Sequence, residues 1–149
     1  MKQITLFLIL LAMPCIIQAQ KDEKAIKAVI NRFFEAMEKG DTTALLSTCM
    51  PDPVFQTYMK EKNGELQMYT ENFSDFVRFL GSPRKDTFKE EVKFEAIHSE
   101  MSLASAWTPY TFYLNGKVSH CGTNSFQLVK TAAGWKIQYI IDTRRKGCK

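Results

Sequence analysis

The chain has 149 residues, 20 Lys and Arg against 16 Asp and Glu, and a formal net charge of +4. That length holds one domain of moderate size, and a charge this weak and dispersed argues against a nucleic-acid partner. The two histidines and four cysteines show no Cys-x-x-Cys and no His-x-x-x-His spacing, so no metal site is expected.

Residues 1–19 read as a cleavable signal peptide. Lys2 is the only charge among the first 20 residues, the apolar run Ile4–Met13 follows, and Ile17-Gln18-Ala19 suits cleavage after Ala19. The run is short and is broken by Pro14, which disfavours a retained anchor. Pro14 directly before Cys15 also makes a poor lipoprotein signal. Cleavage leaves 19 basic against 16 acidic residues, a mature charge of +3. The expectation is one exported domain, 20–149, periplasmic or extracellular, from a bacterium. An exported chain is not expected to use cytoplasmic cofactors such as nicotinamides, so no cofactor is expected.

Ile26, Val29, Ile30, Phe33, Phe34 and Met37 recur at three- and four-residue intervals, the stripe of an amphipathic helix. Gly40 ends it, and Asp41 caps a short second helix to about Thr48 with Leu45 and Leu46 inward. Pro51 and Pro53 stop that helix. Val54–Met59 reads as a strand, Asn63-Gly64 as a turn, and Glu65–Tyr69 as the returning strand. Thr70 is placed to cap a third helix, Glu71–Leu80, with Phe73, Phe76, Val77 and Leu80 on one side. Four strands follow at about 87–98, 101–113, 117–130 and 135–145, turning at Ser99-Glu100, Asn115-Gly116 and Thr131–Gly134.

Helices first and then an antiparallel meander is an α+β pattern. With two-residue turns, Val92, Trp107, Asn124 and Ile141 share one row of the inner sheet face. Phe94, Ser105, Phe126 and Tyr139 form the next row, then Ala96, Leu103, Leu128 and Ile137. Toward the other end the rows turn polar: Glu90, Pro109, Gly122 and Thr143, then Phe88, Thr111, His120 and Arg145. An apolar cavity with a few convergent polar groups is a ligand site in outline. Trp107 and Phe126 supply its apolar wall, and Thr111, His120, Asn124, Thr143 and Arg145 its polar contacts. Glu90 and His120 are the candidate catalytic groups.

Each of these residues also has a structural reading. Asn124 can satisfy a buried amide on backbone or water, Glu90 can pair with Arg145 or His120, and Trp107 can be core. The cluster Arg144-Arg145-Lys146 reads as a solvated tail. His98 falls about ten residues along the sheet from His120, too far for a two-histidine site at roughly 3.3 Å per residue. After cleavage Cys49, Cys121 and Cys148 remain. Cys121 lies across from Arg144 on the outer face, and the chain end folding back can close a Cys121–Cys148 disulfide, leaving Cys49 as the free thiol.

The long helix ending in Gly40-Asp41, the short helix, the third helix and a meander closing on Gly134-Trp135-Lys136-Ile137 resemble the nuclear transport factor 2-like superfamily. Ala104-Ser105-Ala106-Trp107, Ser119-His120-Cys121-Gly122 and Ile141-Asp142-Thr143-Arg144-Arg145 resemble its exported bacterial branch labelled lumazine-binding. The resemblance implies a cone with a pocket between three N-terminal helices and a strongly curved, mostly antiparallel sheet, often dimeric through the outer sheet face. It also implies relatives as different as ketosteroid isomerases, polyketide cyclases, dehydratases and binding modules, among which the fold does not choose. The isomerase pattern of an acidic base with a tyrosine-based oxyanion hole is not found. The leading expectation is a binding domain for a small, flat or partly aromatic ligand. The alternatives are a cofactor-independent isomerase, cyclase or dehydratase in the same pocket, and a homodimeric module joined through Tyr110, Phe112 and Ile140.

Overall fold

A computed structural model of the chain describes residues 2–148, and side chains from residue 20 onward. The leader read over residues 1–19 therefore lies outside the described side chains. Among the described residues no helix is long and apolar enough to cross a membrane. Three helices pack on one seven-stranded, mostly antiparallel sheet, the expected α+β architecture.

α1 (Lys2–Lys39) buries Ile26, Ile30, Phe33, Phe34 and Met37 along the expected stripe. Gly40 takes φ +68° and lets the Asp41 N–H return to the Ala36 carbonyl at 2.9 Å. The Asp41 carboxylate then accepts from the Ala44 N–H at 2.9 Å and starts α2 (Thr42–Thr48). Leu45 is buried, but Leu46 is 50% exposed and does not point inward as expected. One turn of helix lays adjacent residues on different faces, so only one of the pair reaches the core.

β1 (Cys49–Lys60) begins directly after α2, and Pro51 and Pro53 lie inside it, where its register with β7 shifts between Cys49 and Val54. β2 (Leu66–Glu71) runs further than expected, so Asn72 and not Thr70 caps α3 (Phe73–Gly81), accepting from the Asp75 N–H at 3.1 Å. The strand expected over 87–98 is two, β3 (Phe88–Val92) and β4 (Ala96–Glu100), both paired with β5 (Leu103–Leu114). Glu100 pairs with Leu103, so the turn is Met101-Ser102 and not Ser99-Glu100. β6 (Lys117–Thr131) and β7 (Gly134–Arg145) complete the sheet, whose order is β2-β1-β7-β6-β5-β3 with only β1 and β7 parallel.

Two bulges change the expected faces. Leu114 and Tyr113 pair with Lys117 and Val118 as a two-residue turn requires, but Phe112 then pairs with His120, leaving Ser119 extra. Leu128 pairs with Ile137 as expected, but Gln127 pairs with Tyr139, leaving Gln138 extra. An inserted residue moves all later side chains of the pair to the other face. β6 keeps Asn124, Phe126 and Leu128 inward. β5 instead turns Ala104, Ala106, Thr108, Tyr110 and Phe112 inward, and Leu103 and Trp107 are 58% and 50% exposed. Beyond Gln138, β7 turns Ile140, Asp142 and Arg144 inward in place of Tyr139, Ile141, Thr143 and Arg145.

The core forms where α1 crosses the sheet. Phe33 meets Phe34 and Phe55 edge-on at 5.3 and 5.7 Å, and Phe34 meets Phe126 at 6.0 Å. Buried Asp22 accepts from Lys130 Nζ at 2.6 Å and from Trp135 Nε1 at 3.2 Å, fastening α1 to the far end of the sheet. Cys121 and Cys148 form a disulfide with Cα atoms 5.8 Å apart, and Cys49 is the free, buried cysteine among the described residues. The residue opposite Cys121 is Arg145, not Arg144. Burial pushes the Cys49 thiol up to about 11, so it stays protonated.

Candidate functional site

The helices and the inner sheet face leave a cavity of about 490 Å³ between them. α1 contributes Phe33, Phe34 and Met37, α3 contributes Phe76, Phe79 and Leu80, and the sheet adds Phe55, Phe88, Phe112 and Ile140. This wall follows from the same periodicity that builds the core: each helix presents its apolar stripe, and the lining rings pack on one another, Phe76 on Phe55 and Phe79 on Phe88 at 5.8 Å. The volume and apolar lining are those of a small-molecule site.

The polar floor is built by five strands, β1, β3, β5, β6 and β7. On β7, Asp142 accepts from the Tyr110 hydroxyl at 2.9 Å and from the Arg144 Nε at 3.3 Å, and also from the Thr57 hydroxyl of β1. Arg144 Nη2 donates to Thr57 Oγ1 at 3.1 Å. On the β3 side, Glu90 Oε1 accepts from Asn124 Nδ2 at 2.8 Å. His120 stacks on Phe112 with ring centroids 4.8 Å apart and meets Tyr110 edge-on at 5.8 Å.

Gly122 makes this arrangement possible. A Cβ there would lie 1.7 Å from the Thr143 carbonyl oxygen and 2.9 Å from the Tyr110 ring. With no side chain in the way, Tyr110 reaches across β6, its hydroxyl lying 3.1 Å from the Thr143 carbonyl as well as beside Asp142.

Burial sets the protonation of the floor. It pushes the Glu90 carboxyl up to about 7, helped by the charge of Asp142 and opposed by the Asn124 hydrogen bond and by Arg144. Burial also raises Tyr110 far above the usual phenol range, with the Asp142 and Glu90 charges acting in the same direction, so Tyr110 stays protonated. His120 is lowered, first by burial and then by Arg144, with Asp142 opposing. It is neutral near pH 7.

Of the residues expected from sequence, Glu90, His120 and Asn124 share this cavity. Trp107 does not: it is half exposed on the outer face. Thr111 and Arg145 lie on the outer side with Cys121 and Cys148, and Thr143 contributes only its backbone carbonyl to Tyr110. Phe126 is fully buried in the core and does not line the cavity. Conversely, Tyr110, Phe112 and Ile140, assigned to an outer dimer face, line the cavity, as do Asp142 and Arg144. Arg144 is thus part of the floor and not of a solvated tail. Glu90 pairs with Asn124, not with Arg145 or His120, and Asn124 sits between Thr108 and Asp142 in place of Trp107 and Ile141. His98, exposed on β4 opposite Ser105, is remote from His120.

Similar solved structures share the fold. A nuclear transport factor 2-like protein with a cystatin-like fold from Novosphingobium aromaticivorans superposes with a TM-score of 0.70 at 14% identity, covering 91% of this chain and 90% of that one. A conserved protein from Planctomyces limnophilus gives 0.69 at 21% identity over 85% and 98%. A nuclear transport factor 2-like protein of unknown function from Shewanella baltica gives 0.63 at 14% identity over 85% and 96%. No protein-family model and no curated protein matches the chain. The fold is therefore nuclear transport factor 2-like, an α+β cone closed over a pocket. The site within that fold is this chain's own: a phenylalanine-lined cavity with Glu90, Asn124, Tyr110 and Asp142 at its base.

Proposed function

We propose that the protein is an exported domain that binds a small, largely apolar and flat ligand in the cavity between α1, α3 and the sheet. The observation that carries this reading is the cavity itself, in which an aromatic wall faces one localised polar floor. Flat ligands suit a wall made mostly of phenylalanine rings. The lumazine-binding label of the resembling branch fits that shape. Export is supported by the Cys121–Cys148 disulfide, since such bonds persist in oxidising compartments. Native mass spectrometry of protein purified from the periplasm tests the reading: a non-covalent small-molecule adduct is expected. Its absence there and across a screen of aromatic metabolites would refute it.

A second reading is proton transfer by Glu90 in an isomerase, cyclase or dehydratase, favoured by a buried carboxyl poised at about 7. The placement of Tyr110 beside acidic groups brings a tyrosine into the site after all. However, its hydroxyl is already committed to Asp142 and the Thr143 carbonyl, which leaves no free donor for a developing oxyanion. Binding without chemistry is therefore the main reading. A Glu90→Gln variant that keeps its ligand but loses turnover of it would reverse that order. A homodimer through the outer sheet face remains part of the proposal, with Tyr58, Met68 and Trp107, which are 38%, 44% and 50% exposed, in place of Tyr110, Phe112 and Ile140. A Trp107→Glu change that leaves a dimeric elution volume unaltered would refute it.

A further inference from the structure

The polar floor has a directional imbalance. Its hydroxyl, amide and Arg144 Nε donors are committed internally: Tyr110 hydroxyl, Thr57 hydroxyl and Arg144 Nε to Asp142, and Asn124 Nδ2 to Glu90, while the neutral His120 ring offers one donor and one acceptor nitrogen. Of the remaining guanidinium nitrogens Nη2 donates to Thr57 Oγ1, and the side chain is 45% exposed. The acceptors of Asp142 take these donors, but those of Glu90 and Asn124 are not all used. Glu90 uses one carboxylate oxygen, and Asn124, 95% buried, has its Nδ2 on Glu90 and no protein donor on its Oδ1, which faces the cavity. With Glu90 ionised the amide can take only this orientation, because a carboxylate accepts and cannot donate.

Charge leads to the same conclusion. The cavity wall carries Glu71, Glu90 and Asp142 against Arg144 alone, and Arg144 is paired with Asp142. His120 is neutral, and Arg84 is held outside by the carbonyls of Leu80, Met37 and Glu38. α1 contributes Phe33, Phe34 and Met37 to the cavity, none of them charged. An aromatic wall over unpaired carboxylates attracts a cation through both ring faces and charge.

We infer that the ligand is a cationic amphiphile, an aryl or alkyl amine whose ammonium group donates to Glu90 and Asn124 Oδ1 while its apolar body lies among the phenylalanine rings. This rests on the cavity being a ligand site and goes beyond it by assigning the charge and the hydrogen-bonding polarity of what enters. An ammonium ion beside Glu90 favours the carboxylate, so binding at neutral pH expels the Glu90 proton to solvent. Amine affinity then rises with pH between about 6 and 8.

Three matched probes test this by isothermal titration calorimetry on the folded full domain: 2-naphthylmethylamine, 2-naphthylmethanol and 2-naphthoate. The amine is expected to bind at least about tenfold more tightly than the alcohol near pH 8, with naphthoate weakest. The amine's advantage should shrink toward pH 5.5. In Glu90→Gln it should fall to about threefold or less, with alcohol binding retained. If alcohol or naphthoate binds as tightly as the amine, the charge assignment is overturned while the cavity reading stands. If none of the three binds, the cavity reading falls and takes this inference with it. Should Glu90→Gln not fold, the wild-type pH profile decides alone: an amine-to-alcohol ratio flat from pH 5.5 to 8 overturns the assignment.

Discussion

Replacing Glu90 with glutamine is expected to stabilise the protein, and to do so more at high pH. Burial holds the Glu90 carboxyl at about 7 in the folded chain, against 4.5 for an unburied glutamate. Between those values the folded state keeps a proton that the unfolded chain has released. The stability attached to this group is therefore complete below about 4.5 and is lost as the pH rises through about 7. At about 1.36 kcal/mol per pH unit, the gap amounts to about 3 kcal/mol. Water entering the open cavity lowers this to about 1–2 kcal/mol, or about 3–8 °C in Tm for a domain of this size. Glutamine keeps an acceptor for Asn124 Nδ2, so the hydrogen bond survives. The assay is thermal or urea unfolding of wild type and Glu90→Gln at pH 5 and pH 8.5. An offset that is the same at both pH values, or a variant less stable than wild type at pH 8.5, refutes the reasoning.

Three further outcomes are expected. Gly122→Ala drives a methyl into the Thr143 carbonyl, 1.7 Å from the ideal Cβ; it should lose about 2–4 kcal/mol, seen as a clear drop in urea midpoint. Thr108 is fully buried and its hydroxyl has no partner, so Thr108→Val should raise stability by about 1 kcal/mol in the same measurement. Reducing the Cys121–Cys148 bond, whose residues are 27 apart in sequence, should lower stability by about 3–4 kcal/mol by chain entropy. A melting curve insensitive to dithiothreitol, with reduction verified by thiol titration, would contradict that expectation.

Much of the fold could be read in the sequence because periodicity and turn chemistry are local. The α1 stripe, Gly40, Asp41 and the Asn115-Gly116 turn each act within a few residues, and each does as expected. The site was read only in part because it depends on sheet phase, which is not local. β6 has the expected phase, which turns Asn124 and His120 toward the cavity. β5 and β7 each lie one residue from the expected phase past a bulge, which puts Thr108 and Tyr110 where Trp107 and Pro109 were expected, and Asp142 and Arg144 where Ile141 and Thr143 were expected. Periodicity could not expose the error, since β5 carries apolar residues on both faces and Tyr139-Ile140-Ile141 fills either phase. The break at Lys93–Glu95 displaced the turn without harming Glu90, whose row is set by β3 pairing with Phe112. In the structure Ile137 and Ile140 are both buried yet three residues apart, which a regular strand cannot achieve, and the run Ile140-Ile141 hides this in the sequence.

The two bulges also make the contents of this cavity separable from its composition. Ser119 and Gln138 are each carried as an extra residue, and taking either into a regular ladder would turn the strand past it over without altering any side chain. A β7 that paired Gln138 regularly would bring Ile141 and Thr143 inward and send Asp142 and Arg144 out. The floor would lose its Asp142–Arg144 ion pair with every residue unchanged. Among proteins sharing this cone, two chains can thus be close in sequence and opposite in what they admit. For this fold, bulge positions are as informative about specificity as the identities of the lining residues.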